Sequence, residues 1–292
     1  MSHHFSQTRH SIVLVNPLKR IMADARGRRQ PLDLHLHTRF SIDVSKGSSF
    51  DEYMEAGDRL GIVPGFLDHF QSEKLGTHRY PFNEDMVPAY LEAYDKAKRS
   101  GLKSYLGLEV DYYDPALHDD WNQKMIEWLD AHAKDFDYFV GTVHDVLTGT
   151  ITIPFELEVL LKGHGFPAIE DAYFRVLDAG IRSESFDGFA HLDVIYRFCG
   201  KSGVVKGDDR FYLEPRTLSA MELCANTGTV IELNLRGFDH PWNSTYPSEA
   251  AFMKFRENHV KDAFFPGSDS HDVKTFERFA PITRKYSDLL YS

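Results

Sequence analysis

Cysteine is nearly absent from the 292 residues: Cys199 and Cys224 stand 25 positions apart and make no Cys-x-x-Cys pair. That spacing leaves no thiolate zinc site or iron–sulfur cluster, and the two are read as reduced, buried thiols of a cytoplasmic protein rather than as a disulfide. Long apolar runs are missing as well. None approaches the roughly 18 to 20 residues of a membrane span, and Ile12-Val13-Leu14-Val15 falls far short of the roughly 7 to 15-residue core of a secretory signal. Positive charge is scarce outside the amino-terminal segment. Residues 1 to 31 hold six basic residues (Arg9, Lys19, Arg20, Arg26, Arg28, Arg29) against Asp24, a net of +5, so of the total of −11 the remainder carries −16. A body that acidic repels a phosphate backbone, which disfavours nucleic acid as a partner. Residues 1 to 30 are read as a surface extension, although an Arg-rich, acid-poor segment also imitates an organellar transit peptide.

What is present is apolar substance and a repeating order. Apolar residues make up 42% of the chain and aromatics 13%, enough for a large core, and an α/β barrel of this length is a single domain, here residues 31 to 292. From residue 32 the chain reads as seven strand-then-helix units, the pattern of a parallel sheet with crossover helices. Strands are expected at about 32 to 36, 61 to 67, 104 to 108, 138 to 143, 186 to 190, 229 to 234 and 263 to 267. Ser49-Phe50-Asp51-Glu52 has the form of a capping box, and Gly61 stops the helix that it opens. Pro215 and Pro247 are read as helix openers. Residues 145 to 167 interrupt the pattern, with a short inserted helix over 154 to 161 that is expected to border the site.

The chemistry starts at Leu32-Asp33-Leu34-His35-Leu36-His37-Thr38. Side chains on a strand alternate faces, so His35 and His37 leave one face together. A His-x-His pair alone also occurs on half-buried strands that bind nothing. Here, however, further His, Asp and Glu recur just after apolar strand-like runs, giving Asp43, His69, Glu109, His144, His191, Asp269 and His271. In a βα barrel those positions converge at one end. Nine N/O donors and no thiolate suit divalent Zn, Mn or Fe. At three to four protein ligands per ion, with Glu109 able to bridge, they suffice for two or three ions, which would polarise phosphoryl oxygens and make a hydroxide available near neutral pH.

Six segments, taken together and in this order, resemble the PHP (polymerase and histidinol phosphatase) superfamily: Asp33-Leu34-His35-Leu36-His37-Thr38, Asp68-His69, Gly107-Leu108-Glu109, Gly141-Thr142-Val143-His144, His191-Leu192-Asp193 and Gly267-Ser268-Asp269-Ser270-His271. The resemblance spans about residues 31 to 285 and implies a distorted (β/α)7 barrel with a trinuclear metal centre. It implies one ion, with its catalytic hydroxide, on His35, His37, Glu109 and Asp269, a second on Glu109, His144 and His191, and a third on Asp43, His69 and His271. Gly107 to Tyr112 and Phe186 to Arg197 look like the monofunctional histidinol-phosphate phosphatases, while Asp145 departs from their pattern. The activity implied is hydrolysis of a small phosphate monoester, L-histidinol phosphate foremost. Another small phosphoester is the alternative, and a nucleic-acid-processing module a more distant one. Arg197 and Arg236, just past strands five and six, are candidates to grip phosphate, since a guanidinium holds two oxygens at once. Asp33 and Asp193 are candidates to orient ligating histidines. His78, His164 and His240 are placed in loops that rim the site, and the oligomeric state is left open.

Overall fold

The computed structural model describes residues 16–41, 47–70, 82–199, 203, 205, 213–257 and 263–291. The strands are β1 (Leu32–Leu36), β2 (Val63–Phe70), β3 (Tyr105–Asp111), β4 (Tyr138–Thr142), a small antiparallel hairpin β5 (Asp145–Val146) and β6 (Gly149–Thr150), then β7 (Gly188–Phe189), β8 (Val230–Asn234) and β9 (Phe264–Gly267). All but the hairpin form one parallel sheet in the order β1-β2-β3-β4-β7-β8-β9. Seven parallel strands in chain order, each joined to the next by a crossover, curl until the ends meet. Closure runs through a bridge from Leu36 to Ser270, with His37 N–H donating to Ser270 O at 2.9 Å. Tyr53 OH reinforces that seam on His37 O and Ser270 O, at 3.0 and 2.9 Å. The architecture is the nearly closed seven-stranded α/β barrel expected from the strand-helix repeat.

Around the sheet lie α1 (Pro17–Arg28), α2 (Phe50–Leu60), α3 (Val87–Lys98), α4 (Pro115–Ala131), α5 (Pro154–His164), α6 (Phe166–Arg182), α7 (Pro215–Thr227), α8 (Glu249–Arg256) and α9 (Val273–Tyr291). The capping box is formed as read: Ser49 accepts from Glu52 N–H, Glu52 reaches back to Ser49 N–H at 2.7 Å, and Gly61 takes the left-handed turn at φ 64°. The inserted helix of the 145 to 167 segment is α5, and the hairpin before it was not anticipated. Pro247 does not open α8 itself; Ser248 caps it by accepting from Ala251 N–H. The nineteen-residue α9 was not among the expected helices; it holds Pro281 in its interior, where proline ordinarily breaks a helix. Its inner face, with Phe276, Phe279, Tyr286 and Leu290, is buried. Among the described residues no helix is long and apolar enough to cross a membrane, and Cys199 and Cys224 are both free and buried.

The largest difference from the sequence reading lies at the amino terminus. Residues 17 to 28 are not a surface extension but a helix whose Leu18, Ile21, Met22 and Ala25 are buried. Asn16 caps it by accepting from Leu18 N–H at 2.9 Å, and Pro17 occupies the first turn, where its missing N–H is no loss. The same Asn16 donates to Asp187 O, just before β7, at 2.7 Å and to Gly228 O, just before β8, at 3.3 Å. Asp24 pairs with Lys103, just before β3, at 3.0 Å. These contacts fall at the amino-terminal ends of the strands, so α1 closes the mouth opposite the histidines. Its basic residues mislead because Arg20 and Arg28 lie on the outer face of an amphipathic helix, with Lys19 and Arg26 half-buried beside its apolar face.

Candidate metal centre

His35 lies on β1 and His37 one residue past it; His69 and Glu109 sit near the carboxyl ends of β2 and β3. His144, His191, Asp269 and His271 follow β4, β7 and β9 within a few residues. Parallel strands deliver every one of them to the same end of the barrel. Glu109 is the hub. Its Oε2 stands 2.9 Å from His69 Nδ1, 3.3 Å from His35 Nε2 and 3.7 Å from His37 Nε2, and its Oε1 stands 2.9 Å from His191 Nε2 and 3.6 Å from His144 Nε2. Asp269 Oδ1 reaches His37 Nε2 at 3.1 Å and His271 Nδ1 at 3.6 Å.

Which nitrogen bears the proton follows from the partners behind the rings. His35 Nδ1–H donates to Glu232 Oε1 at 2.6 Å. His144 Nδ1–H donates to Asp111 Oδ1 at 2.8 Å. Ser41 gives its own hydrogen to Asp68 Oδ1 at 2.7 Å, so its oxygen accepts from His37 Nδ1–H at 2.9 Å. The Nε2 lone pairs of His35, His37 and His144 therefore all face inward. Those of His35 and His37 approach to 3.0 Å, a contact that repels unless a proton or a metal cation stands between them. Glu109 Oε2 is fully buried and makes no hydrogen bond, although three imidazole nitrogens surround it. Lone pairs converging on a common point, backed by donors that fix each ring, fit divalent cations bound through N and O.

The charges agree. Burial tends to raise the Glu109 carboxyl, but His69, His35 and His144 outweigh it and hold the group ionised, well below the usual carboxylate range. Asp269 is likewise held low against burial, by His35, His37 and His271. Of the histidine pair, His35 is the stronger base: burial would lower it, yet Glu232, Glu109 and Asp269 raise it well above the ordinary value. His37, buried and faced by His271 and His69, is pushed down to about 3. Two of the candidate ligands occupy left-handed backbone, His191 at φ 26° and Asp269 at φ 52°, a strain that persists where surrounding contacts over-determine it.

Among the described residues three overlapping triads lie within ligating reach: His35, His37 and Glu109; His69, Glu109 and His144; His37, His69 and His271. With His191 beside Glu109 and Asp269 beside His37, eight of the nine expected ligands are gathered at one place. Asp43 lies outside the described residues. Grouping differs somewhat from the expectation, since His37 reaches the His69/His271 triad as well as His35, and His69 reaches Glu109.

The family model of the PHP domain matches residues 33–235. The chain belongs to the PHP domain family. Across 262 residues this PHP barrel is 23% identical to a Deinococcus radiodurans protein named "Probable histidinol-phosphatase", covering 88% of this chain and 93% of that one. Its fold is shared with a Listeria monocytogenes protein assigned as histidinol phosphatase HisK, at a TM-score of 0.72 and 18% identity over 86% of this chain and 99% of the other. It is shared too with histidinol phosphate phosphatase from Lactococcus lactis, solved with zinc, L-histidinol and phosphate, at 0.67 and 19% over 88% and 94%.

The supporting carboxylates of the PHP centre were missed in the sequence. Neither Asp33 nor Asp193 touches a ligating ring: Asp33 accepts from Ser268 N–H at 2.9 Å across the closing seam, and Asp193 from Ser248 N–H at 3.0 Å. The ring-orienting roles fall instead to Glu232, Asp111 and the Ser41–Asp68 pair. A signal existed. Asp111 is two residues past Glu109 on β3 and Glu232 two before Asn234 on β8, so strand alternation puts each pair on one side.

The rim is built by the segments after β7 and β8. Arg236 is engaged, its Nη1 bonding Asp239 Oδ2 at 3.1 Å, while Arg278 grips both oxygens of the same Asp239. Arg197 is half-buried with its guanidinium 5.4 Å from the Phe198 ring, and its Nε is buried without a hydrogen-bond partner. Beside it stands His240, its Nδ1 3.0 Å from Tyr246 OH; burial first and Arg197 next push this imidazole down to about 3. Of the other loop histidines, His164 ends α5 and is exposed, and His78 lies outside the described residues.

Proposed function

We propose that this PHP protein hydrolyses a small phosphate monoester with two or three divalent ions drawn from Zn, Mn and Fe, and that L-histidinol phosphate is its preferred substrate. The observation that carries the reading is the convergence of inward-facing imidazole lone pairs on the buried Glu109. The names of its relatives in Deinococcus, Listeria and Lactococcus support the choice of substrate, as does the zinc, L-histidinol and phosphate of the last. Two reduced, buried cysteines suit a cytoplasmic enzyme of histidine biosynthesis.

Divalent ions held there supply Lewis-acid polarisation of the phosphoryl oxygens and a nucleophile at neutral pH. The chain's own contribution is position and charge. His35, His37, Glu109 and Asp269 set one side of the site, His144 and His191 the other, and His69 and His271 a third. Arg197 is the better of the two phosphate arms because Arg236 is already paired. A guanidinium donates two parallel hydrogen bonds that tighten as charge builds on the phosphoryl oxygens.

The experiment is steady-state kinetics on histidinol phosphate and on a generic aryl phosphate, with elemental analysis of the same samples. Arg197→Ala is expected to lower kcat/KM by roughly 10² or more, about 3 kcal/mol of transition-state stabilisation, and to leave metal content unchanged. Arg197→Lys should recover only part, since an ammonium is a point charge. Wild-type kcat/KM in Arg197→Ala on both substrates would make it a structural arginine. A wild-type enzyme that prefers the aryl phosphate would overturn the choice of substrate while leaving the phosphatase reading intact.

A further inference from the structure

Glu232 touches the centre at more places than a partner for one ring needs. Its Oε1 accepts from His35 Nδ1–H at 2.6 Å. Its Oε2 accepts from the backbone N–H of His191 at 3.0 Å and from Asn234 Nδ2 at 3.1 Å. Asn234 Nδ2 lies in turn 3.3 Å from Asp269 Oδ2. Every neighbour of the carboxylate is therefore a donor, and the three ligands tied together, His35, His191 and Asp269, come from three different strand ends. The side chain is fully buried and has no room to move: a Cβ added at Gly267 would meet Glu232 Oε1 at 2.1 Å and His35 Cβ at 2.6 Å.

We infer that Glu232 is the positioning residue that couples the metal sites to one another, holding the His35 ring and the strained His191 peptide through a single carboxylate. The inference rests on the metal-centre reading and adds that two sites, one using His35 and one using His191, load and empty together. On one side Glu232 fixes the His35 tautomer so that Nε2 keeps its lone pair for an ion. On the other it anchors the peptide of a residue at φ 26°, a conformation that relaxes once the anchoring hydrogen bond is lost. Asn234 extends the link to Asp269, also in left-handed backbone at φ 52°.

Geometry makes an unusual demand on the isosteric variant. In Glu232→Gln one of the two oxygens becomes an NH2 group. Whichever way the amide turns, that donor faces His35 Nδ1–H or faces both His191 N–H and Asn234 Nδ2, since all three are donors. A substitution that keeps size and shape therefore breaks one side of the link.

The test is zinc binding, measured on the chelator-stripped full chain by competition with a chromophoric chelator and by elemental analysis, with circular dichroism of the metal-free protein to show that it is folded. Glu232→Gln is expected to weaken at least two bound ions in step, each by roughly 10- to 100-fold. Weakening of a single ion would overturn the coupling, and wild-type affinity at all ions would overturn the positioning role. If Glu232→Gln is recovered unfolded, Asn234→Ala carries the test. That variant removes the link toward Asp269 together with the Asn234 contacts to Glu232 Oε2 and Arg236 N–H but leaves the carboxylate on His35 and His191, so weakening of the ion that uses Asp269 supports the inference and unchanged binding overturns it. A wild-type chain that binds no zinc, manganese or iron would instead remove the metal-centre reading itself, a separate result from any of these.

Discussion

Glu109→Gln is expected to be the most damaging single substitution in the centre. The carboxylate faces five imidazoles and belongs to two of the three triads within ligating reach among the described residues. Exchanging one oxygen for an NH2 group removes the charge that holds these ligands together and turns a donor toward inward-facing lone pairs. Metal content should fall by at least one ion per chain. Losing the charge stabilisation supplied there, several kcal/mol, corresponds to a drop in kcat/KM of roughly 10³ or more. The folded state should survive, because the barrel seam and the helix caps lie elsewhere. Elemental analysis, kinetics and the melting temperature of the metal-free protein together check the result. Full metal content with undiminished turnover would show that Glu109 is not the hub.

Deleting residues 1 to 29 is expected to unfold or aggregate the protein rather than trim a surface tail. Leu18, Ile21 and Met22 are almost wholly buried, and each such side chain contributes about 1.5–3 kcal/mol by leaving water. Three of them amount to roughly half or more of the net stability of about 5–15 kcal/mol typical of a folded domain. Removal also strips the Asn16 amide from Asp187 O and Gly228 O and uncovers the amino-terminal mouth of the barrel. Leu18→Ala gives the graded version: a loss of about 2–5 kcal/mol in denaturant unfolding, with metal content unchanged because the helix and the histidines lie at opposite ends. A truncated chain with the melting temperature and activity of the full one would restore the reading of this segment as an extension.

Much of the barrel is legible in single segments because the signals are local. Alternation over residues 32 to 37 places His35 and His37 on one side of β1, and the Ser49/Glu52 box with Gly61 bounds α2 to the residue. Stiff apolar runs ending in His or Glu mark the carboxyl ends of strands, and parallel order then forces those ends together. That is why eight of the donors that the barrel gathers can be named from the chain alone. Where local chemistry is ambiguous, the reading fails. Arg26, Arg28 and Arg29 advertise a basic tail, whereas Leu18, Ile21 and Met22 supply the buried face of a helix; Pro281 argues against the helix that contains it.

The amino-acid sequence by itself determined the order of the seven barrel strands and the identity of the donors, since each depends on neighbours within a turn or a strand. Only the tertiary structure decided which carboxylate stands behind which ring. Glu232 meets His35 across 197 positions of chain, Asp111 meets His144 across 33 and Arg278 meets Asp239 across 39. These pairings are set by how the strands curl and where the barrel closes. A buried polar group must find its partner in whatever the fold brings beside it, and no periodicity along the chain records that.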